Sequence, residues 1–389
     1  MSQFYAPTPE QRRALEQLAE QVADAQRTLV ANHPQLQSPD RGAHQQQLAG
    51  GKVLLTVDAK LPKELDGLGI FERGSGPRVG IGRMSTGLGC PHAETDPDFL
   101  GLMVAFRTRD GRRVDFITIN HGSAPTDTPE EFIALLKATA DAAGGDHSSG
   151  LVNLFASQAR LLTGLLKHAG TRAPAIATQV IRQTSRTTGS SSAYQPYWTG
   201  VLRARDVLGK FTFVPQRDVN AKRPASAGTN YLSIDWRNRQ AAGALEFRLY
   251  WIPFLSERET PLKDLTREWA EQHKVPVGTV TFPVTAPDSA DAKLQALLAA
   301  EMGANQGNWV EDDRGTSASG LPATEYTAAR FLAYRVSQRL RNALSDDAYA
   351  SFFDKGEIDP ALAGELVRRY QQKRAAGHNV PDVGEVGVS

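Results

Sequence analysis

The 389-residue sequence contains only one cysteine, Cys90, so a disulfide bond within the chain is excluded. It also lacks any run that approaches the roughly 18 apolar residues of a membrane-spanning helix. Neither sign of charge dominates, because 44 Lys and Arg residues face 43 Asp and Glu residues, and the formal net charge is +1. Without a positive field, a chain is not drawn to nucleic acid or to anionic lipid. We therefore expect a soluble protein that binds no nucleic acid and spans no membrane.

An apolar segment of signal-peptide length is missing from the first residues, MSQFYAPTPEQRRALEQ, which become charged early. Together with the single cysteine, this favours a reducing compartment, and we expect a cytoplasmic protein. The remaining composition is ordinary for a globular protein with a substantial core, since 40% of the residues are hydrophobic and 22% are charged.

The hydrophobic pattern changes along the chain. Leucine and valine recur at helical spacing from residue 8 to about residue 29, which predicts a helical N-terminal arm within residues 1–40. Short apolar runs cut by Gly and Pro follow: KVLLTV, RVGIGRM, GLMVAF, VDFITIN, KFTFVP, LEFRLYWIPF and GTVTFPV. Such runs are typical of an antiparallel sheet or barrel, here at about residues 50–285.

Helical patterns interrupt and follow these strands. TPEEFIALLKATADAA and LVNLFASQARLLTGLLKHAG predict a helical insertion, and AKLQALLAAE, TEYTAARFLAYRVSQRLRNAL and PALAGELVRRYQQKRAA predict C-terminal helices at about residues 290–375. The segments RTTGSSSAYQP and EDDRGTSASGLP lack periodicity, as does the tail at residues 376–389. We expect all three to be exposed and the tail to be flexible.

One predicted helix carries a stripe with chemical meaning. Arg330, Tyr334, Ser337 and Arg341 stand at i, i+4, i+7 and i+11 and share one helix face. A tyrosine between arginines lies in a positive field that favours its phenolate, a hard anionic ligand for ferric iron. Tyrosine is also one of the few axial ligands of haem. The plain alternative is a solvated helix face, because Arg-x-x-x-Tyr also arises by chance.

Polar residues near the strands add to this pattern. Arg41 and His44 precede the first strand, and an imidazole titrates in the range suited to moving the proton of a peroxide. Arg83 and Ser85 share one face of a strand. Asn120 ends another strand, where its amide could hold a peroxide oxygen without competing for the proton. His44 and Asn120 also have ordinary interpretations, as a solvated loop histidine and as a turn asparagine.

The order of these segments resembles the catalase superfamily, and within it the short catalase-related haem peroxidases. Arg41-Gly-Ala-His44 is similar to the family's Arg-x-x-His, GRMST to Val-Arg-Phe-Ser-Thr, and Arg330-Phe-Leu-Ala-Tyr334 to the proximal Arg-x-x-x-Tyr. GLMVAFRTRDG with DFITIN resembles the strand pair before the distal Asn, and PLKDLTREW resembles a Pro-x-x-Asp-x-Thr-x-x-Trp stretch. The similar segments follow the family order over most of the chain.

The resemblance implies an α+β fold: a catalase-like antiparallel β-barrel with an N-terminal arm, a helical insertion and C-terminal helices, forming a haem domain over residues 41–375. It implies that Tyr334 binds the iron of haem b, that His44 performs the acid-base chemistry, and that Ser85 orients the His44 ring. Asn120 would be the distal amide. Four arginines would contact the cofactor or its ligand: Arg41, Arg83, Arg330 and Arg341.

Several departures from the family pattern concern the pocket. The approach to the distal Asn is one residue longer than in large catalases, so Asn120 could be displaced by one position, with His121 beside it. The family's Asn-x-Pro-x-Phe-Phe is replaced by Asn120-His-Gly-Ser-Ala-Pro, and its His-Arg-Pro-Leu-Gly by GTSASGLPATEY. These changes indicate a wider pocket, which would fit a bulky substrate.

The expected function is that of a haem-dependent peroxidase, which reduces hydrogen peroxide or an organic hydroperoxide and oxidises a small organic reductant. Three alternatives stay open: disproportionation of hydrogen peroxide, rearrangement or oxygenation of one organic substrate, and haem binding or sensing without turnover. Retention of His44 disfavours the last, because binding alone needs no distal base. A homo-oligomer is conceivable, since the arm could wrap a neighbouring subunit, and NADPH binding is left open.

Two other patterns are weaker. Cys90, His92 and Glu94 stand close together, but no second Cys or His follows at zinc spacing, so a capped turn is favoured over a metal site. GSGPRVGIG is rich in glycine, yet it lies between strands with no helix after it, which disfavours phosphate binding.

Overall fold

A computed structural model of the chain describes residues 5, 7–32, 39–74, 76–87, 89, 92–143, 151–185, 190–217, 222–308, 323–378, 380, 381 and 383. The side chains of residues 151–158 are not described. The whole segment EDDRGTSASGLP lies outside the described residues, and so does Cys90.

The described strands form one antiparallel sheet. They are Gln47–Val57 (β1), Arg78–Thr86 (β2), Leu100–Arg107 (β3), Arg113–Ile119 (β4), Tyr197–Thr199 (β5), Leu202–Ala204 (β6), Val207–Pro215 (β7), Leu245–Pro253 (β8) and Val275–Phe282 (β9). Their order is β5-β4-β3-β2-β1-β9-β8-β7-β6. A further pairing between β5 and β7 closes eight of the strands into a barrel, and β6 pairs with β7 beside it.

Alternation along the strands fills the barrel with side chains. On β4, Val114 and Phe116 belong to the barrel core, whereas Ile117 packs with the helices outside. The ring of Phe116 lies 5.1 Å from that of Phe211 and 5.7 Å from that of Phe213, both in edge-on contact. The interior of the barrel is therefore a packed core. The candidate site described below lies on the outer face of the sheet.

Helices pack around the barrel. They are Pro9–Asn32 (α1), Pro129–Ala142 (α2), Leu151–Ala169 (α3), Ala173–Thr184 (α4), Tyr231–Ala242 (α5), Ala290–Glu301 (α6), Glu325–Leu340 (α7), Ala350–Lys355 (α8) and Pro360–Ala375 (α9). Within the described residues, no helix is both long enough and apolar enough to cross a membrane.

Two of these helices position the residues discussed below. Thr324 is the N-cap of helix α7, and its hydroxyl accepts a hydrogen bond from the Thr327 amide at 3.1 Å, which fixes where the helix starts. Helix α1 packs along α2 and α7 of the same chain. Its buried stripe includes Leu15, Val22 and Leu29, so the arm forms part of the fold of its own chain.

The predicted α+β fold with a closed antiparallel barrel is confirmed, and the seven apolar runs coincide with β1–β4 and β7–β9. The expected exposure of RTTGSSSAYQP is wrong for its described part. Ser191 and Ser192 are fully buried, because Ser191 caps a short turn and the Tyr197 hydroxyl donates to the Ser192 carbonyl at 2.6 Å. In the tail, His378 and Val383 are buried as well.

Candidate functional site

A cavity of about 290 Å³ lies between the outer face of the barrel and the helices α2, α4 and α7. A smaller cavity of about 110 Å³ adjoins it near α1. Both are lined by His44 from the segment before β1, by Tyr334 from α7, and by Phe132 from α2. His44 and Tyr334, the base and the iron ligand expected from the sequence, therefore line the same cavities.

On α7, Arg330 and Tyr334 are in direct contact. Arg330 lies one turn before Tyr334, and its Nε donates to the Tyr334 hydroxyl at 3.2 Å, with Nη2 donating to the same oxygen. Burial lowers the pKa of Arg330, but the hydroxyls of Tyr334 and Tyr326 raise it more, so the net shift is upward. A firmly cationic guanidinium thus holds the tyrosine oxygen at the cavity.

His44 is held by its backbone and by its ring. Its backbone N–H donates to the Gly87 carbonyl at 2.9 Å, and its φ of 56° places it in the left-handed region. Ring atom Nδ1 lies 3.2 Å from the Ser85 hydroxyl. Burial, with a smaller contribution from Arg83, lowers the pKa of His44 to about 4. The imidazole is therefore a neutral base at ordinary pH.

Gly101 on β3 lies directly beneath the His44 ring. A Cβ on Gly101 would stand 2.6 Å from His44 Nδ1 and Cε1, closer than real carbon contacts allow. We expect Gly101→Ala to lower the free energy of unfolding by about 1–3 kcal/mol, because an extra methyl in a packed site forces its neighbours aside. Urea denaturation measures this change.

Gly364→Ala on α9 is the matched control, because nothing lies within 4 Å of a Cβ added there. Alanine has the higher helix propensity, so the control should be neutral or stabilising. Equal stability of Gly101→Ala and the original protein would show that the ring of His44 does not lie against β3.

Three arginines gather beside the smaller cavity, and all three were candidates from sequence. Arg83 donates to the carbonyls of His44 and Gln45 at 2.8 and 3.0 Å. Arg41 and Arg341 both donate to the Met302 carbonyl at 3.0 Å. Burial and mutual repulsion lower the pKa of Arg83 to about 9 and that of Arg41 well below its ordinary value.

The charge of this cluster is only partly compensated within the described residues. Asp40 adjoins it, and although burial raises the pKa of Asp40, a hydrogen bond with His378 and the charges of nearby cations lower it strongly. Glu301 is already shared with Lys373 at 2.7 Å and Arg369 at 3.4 Å. Arg341 is 6% exposed, and its Nη1 is buried with no hydrogen-bond partner among the described residues. The cluster can therefore receive an anion.

Asn120 is the one candidate that the structure does not bring to the cavity. Its side chain is buried, with Oδ1 accepting from the Leu100 amide at 2.9 Å and Nδ2 donating to Gln195 at 2.8 Å. Of the described residues in this stretch, Ile119 and His121 line the larger cavity instead. Alternation of side chains along this stretch therefore turns Asn120 away from the cavity, whereas Ile119 and His121 face it.

The sequence patterns missed other residues of the cavity wall. Lys210 on β7, Trp198 on β5 and Phe99 before β3 all line the larger cavity. Only Lys210 carried a signal, as a charged residue inside the apolar run KFTFVP. His92 lies 3.3 Å from Asp98, and the described residues hold no group of three or more His, Cys, Asp or Glu side chains that could bind a metal ion.

No family model matches the sequence, and no curated protein matches it either. Solved structures do match in shape. A fungal catalase superposes with a TM-score of 0.62 and 15% sequence identity, covering 85% of this chain and 66% of its own. The chain has a catalase-like fold.

Two further structures support this assignment of the fold. A bacterial catalase gives a TM-score of 0.61 at 18% identity, covering 85% of this chain and 62% of its own. Catalase A from Saccharomyces cerevisiae gives 0.58 at 14% identity, covering 86% and 68%. This chain thus spans about two thirds of the length of the catalases that it matches. At such identities the likeness concerns the catalase-like fold alone.

Proposed function

We propose that this chain is a haem-dependent peroxidase, which reduces hydrogen peroxide or an organic hydroperoxide and oxidises a small organic co-substrate. One observation carries the proposal: the Tyr334 oxygen, bound by Arg330, lines the same cavity as the imidazole of His44. The likeness in fold to proteins named catalases supports it.

Haem b fits the charges and donor atoms of this site. Its two carboxylates need cations, and the buried, unpartnered Nη1 of Arg341 is a donor that a carboxylate would satisfy. Arg41 and Arg83 add two more cations beside it. Ferric iron takes a phenolate as a hard ligand, and Tyr334 offers that oxygen next to Arg330. In the proposal, Tyr334 holds the iron and the three clustered arginines hold the carboxylates.

When bound, ferric haem would supply the metal that binds a hydroperoxide and the electrons that cleave its O–O bond. The chain's own residues would transfer the proton. Because Nδ1 of His44 faces Ser85, Nε2 remains to take the proton from the incoming hydroperoxide and to return it to the leaving oxygen. Asn120 acts as a positioning residue, because it ties the start of β3, which carries Gly101, to the rest of the barrel.

The pH dependence of the reaction with peroxide follows from His44. Burial, Arg83 and Arg330 lower its pKa to about 4, and Asp98 offsets only part of this shift. The neutral base is therefore present above pH 5 and is lost as the pH falls through 4. We expect the second-order rate constant, measured by stopped-flow absorbance, to be flat from pH 5 to 8 and to fall below it. A midpoint near 6.5, the value of an unperturbed histidine, would contradict this assignment.

The apolar part of the cavity wall favours an organic co-substrate over disproportionation of hydrogen peroxide. Besides the residues that would hold haem, the lining includes Phe132, Leu135 and Val180. Hydrogen peroxide needs no such apolar wall, whereas an organic molecule does. A turnover number with hydrogen peroxide alone far above that with any organic co-substrate would assign disproportionation instead.

One absorbance spectrum tests the core of the proposal. Protein purified after expression with haem supplied should show a Soret band with high-spin ferric features. Haem-free protein under those conditions would overturn the proposal. A fast reaction with peroxide would separate an enzyme from a protein that senses haem without turnover.

A further inference from the structure

Lys210 has no part in the proposed proton chemistry, yet it lies in the wall of the larger cavity. It belongs to β7, and its side chain is only 4% exposed. Its Nζ donates to the Gly122 carbonyl at 3.2 Å and lies 4.7 Å from the centre of the Trp269 ring. One hydrogen bond and one ring contact leave donor capacity on an ammonium group, which carries three N–H bonds.

The charge of Lys210 is not neutralised by a close carboxylate. Among the described residues, no carboxylate lies within ion-pair distance of its Nζ, and Glu268 acts on its pKa through charge alone. Burial lowers the pKa of Lys210 to about 7, so that a large part of the population is charged at neutral pH. A buried cation without a close counter-ion is costly, and an anion that enters the cavity would reduce that cost.

Part of the wall is apolar and continues to the surface. Phe132 and Leu135 from α2, Val180 from α4 and Leu265 line the cavity. Ile181, the neighbour of Val180, also lines it and is 47% exposed. Hydrocarbon can therefore contact apolar side chains from the interior of the cavity out to its rim.

We propose that this cavity binds an apolar monocarboxylate, whose carboxylate pairs with Lys210 and whose hydrocarbon part lies against α2 and α4. The inference rests on the proposed function in one respect, since such an acid would be the organic co-substrate of that reaction. A cation beside an apolar stretch of wall selects for one negative charge on a hydrophobic body. Arg330, which also lines the cavity, already donates to the Tyr334 oxygen. The competing interpretation is a lysine that only packs on Trp269.

Calorimetric titration of the purified full-length chain with octanoate and with octan-1-ol tests the proposal. The two probes share their hydrocarbon chain and differ in the charged group. At pH 6.5 the original protein should bind octanoate more tightly than octan-1-ol. Lys210→Met should weaken octanoate binding by about 10- to 100-fold, the effect of losing a hydrogen bond to a charged group, and should leave octan-1-ol binding unchanged. Lys210→Arg should keep most of the affinity for octanoate.

Lys274→Met is the matched control. Lys274 also lies over an aromatic ring, 5.0 Å from the centre of Tyr250, but it is paired with Glu271 at 2.8 Å. Its loss should leave octanoate binding unchanged. Equal binding of octanoate and octan-1-ol by the original protein would overturn the proposal without any variant, and so would undiminished octanoate binding by Lys210→Met.

The same samples separate this inference from the proposed function. Haem content and the rate of reaction with peroxide should be the same in Lys210→Met and in the original protein. If a chain that never takes up haem binds octanoate through Lys210, the carboxylate site is supported and the proposed peroxidase function is contradicted. Haem uptake and a fast reaction with peroxide, together with equal binding of octanoate and octan-1-ol, would support the peroxidase and exclude the carboxylate site.

Discussion

Replacement of Tyr334 by Phe is expected to remove most of the bound haem, or to abolish its characteristic absorbance. The phenyl ring has no oxygen to offer to iron. The change also leaves the Arg330 guanidinium without the oxygen that accepts from its Nε and Nη2. Haem content by pyridine haemochrome assay and the Soret region of the spectrum measure the outcome.

Tyr326→Phe is the matched control for this change. Tyr326 lies two turns earlier on the same helix and lines the same cavity, but its hydroxyl pairs with Thr126 at 3.0 Å. Its loss should cost about 1 kcal/mol of stability and leave haem bound. An unchanged spectrum and haem content in Tyr334→Phe would remove Tyr334 as the ligand.

Replacement of His44 by Ala is expected to leave haem bound but to slow the reaction with peroxide. Removal of a positioned acid-base group costs on the order of 10²–10⁴ in rate. Since one imidazole both takes and returns the proton, the loss should appear in the first absorbance change after mixing with peroxide. Oxidation of the organic co-substrate, which follows, should be slowed less.

His168→Ala serves as a control for the loss of a histidine, because His168 lies on α3 and pairs with Asp141 at 2.9 Å. It should react with peroxide at the original rate. An unaltered rate in His44→Ala would mean that the base lies elsewhere. His121→Ala would then be tested next, since His121 lines the same cavity.

The strands could be predicted because short apolar runs between Gly and Pro residues carry their own signal. Helix α4 could not, although Pro174 occupies its first turn. Its buried residues Ile176 and Val180 are β-branched, and they become helical by packing against neighbours that the sequence pattern does not identify. Helix α5 was missed as well, since its apolar residues show little helical periodicity.

Some contacts of the candidate site could likewise be predicted from the sequence, whereas others could not. The contact between Arg330 and Tyr334 is local, one turn apart on one helix, so spacing alone predicts it. The side to which Asn120 points depends on the register of a strand, and a slip of one residue reverses the face. The partners of Lys210 come from distant segments, Gly122 and Trp269, and no local pattern could show that this lysine is enclosed.

The closure of the barrel has an energetic consequence for the cavity. The barrel is a ring with one short link, because β5 has three residues and makes two residue pairs with β4 and two with β7. Native proteins open locally where few hydrogen bonds hold a segment, at a fraction of the free energy of global unfolding. Trp198 belongs to that link and to the cavity wall. The least costly opening of the ring therefore lies at the strand that supplies Trp198 to the cavity wall.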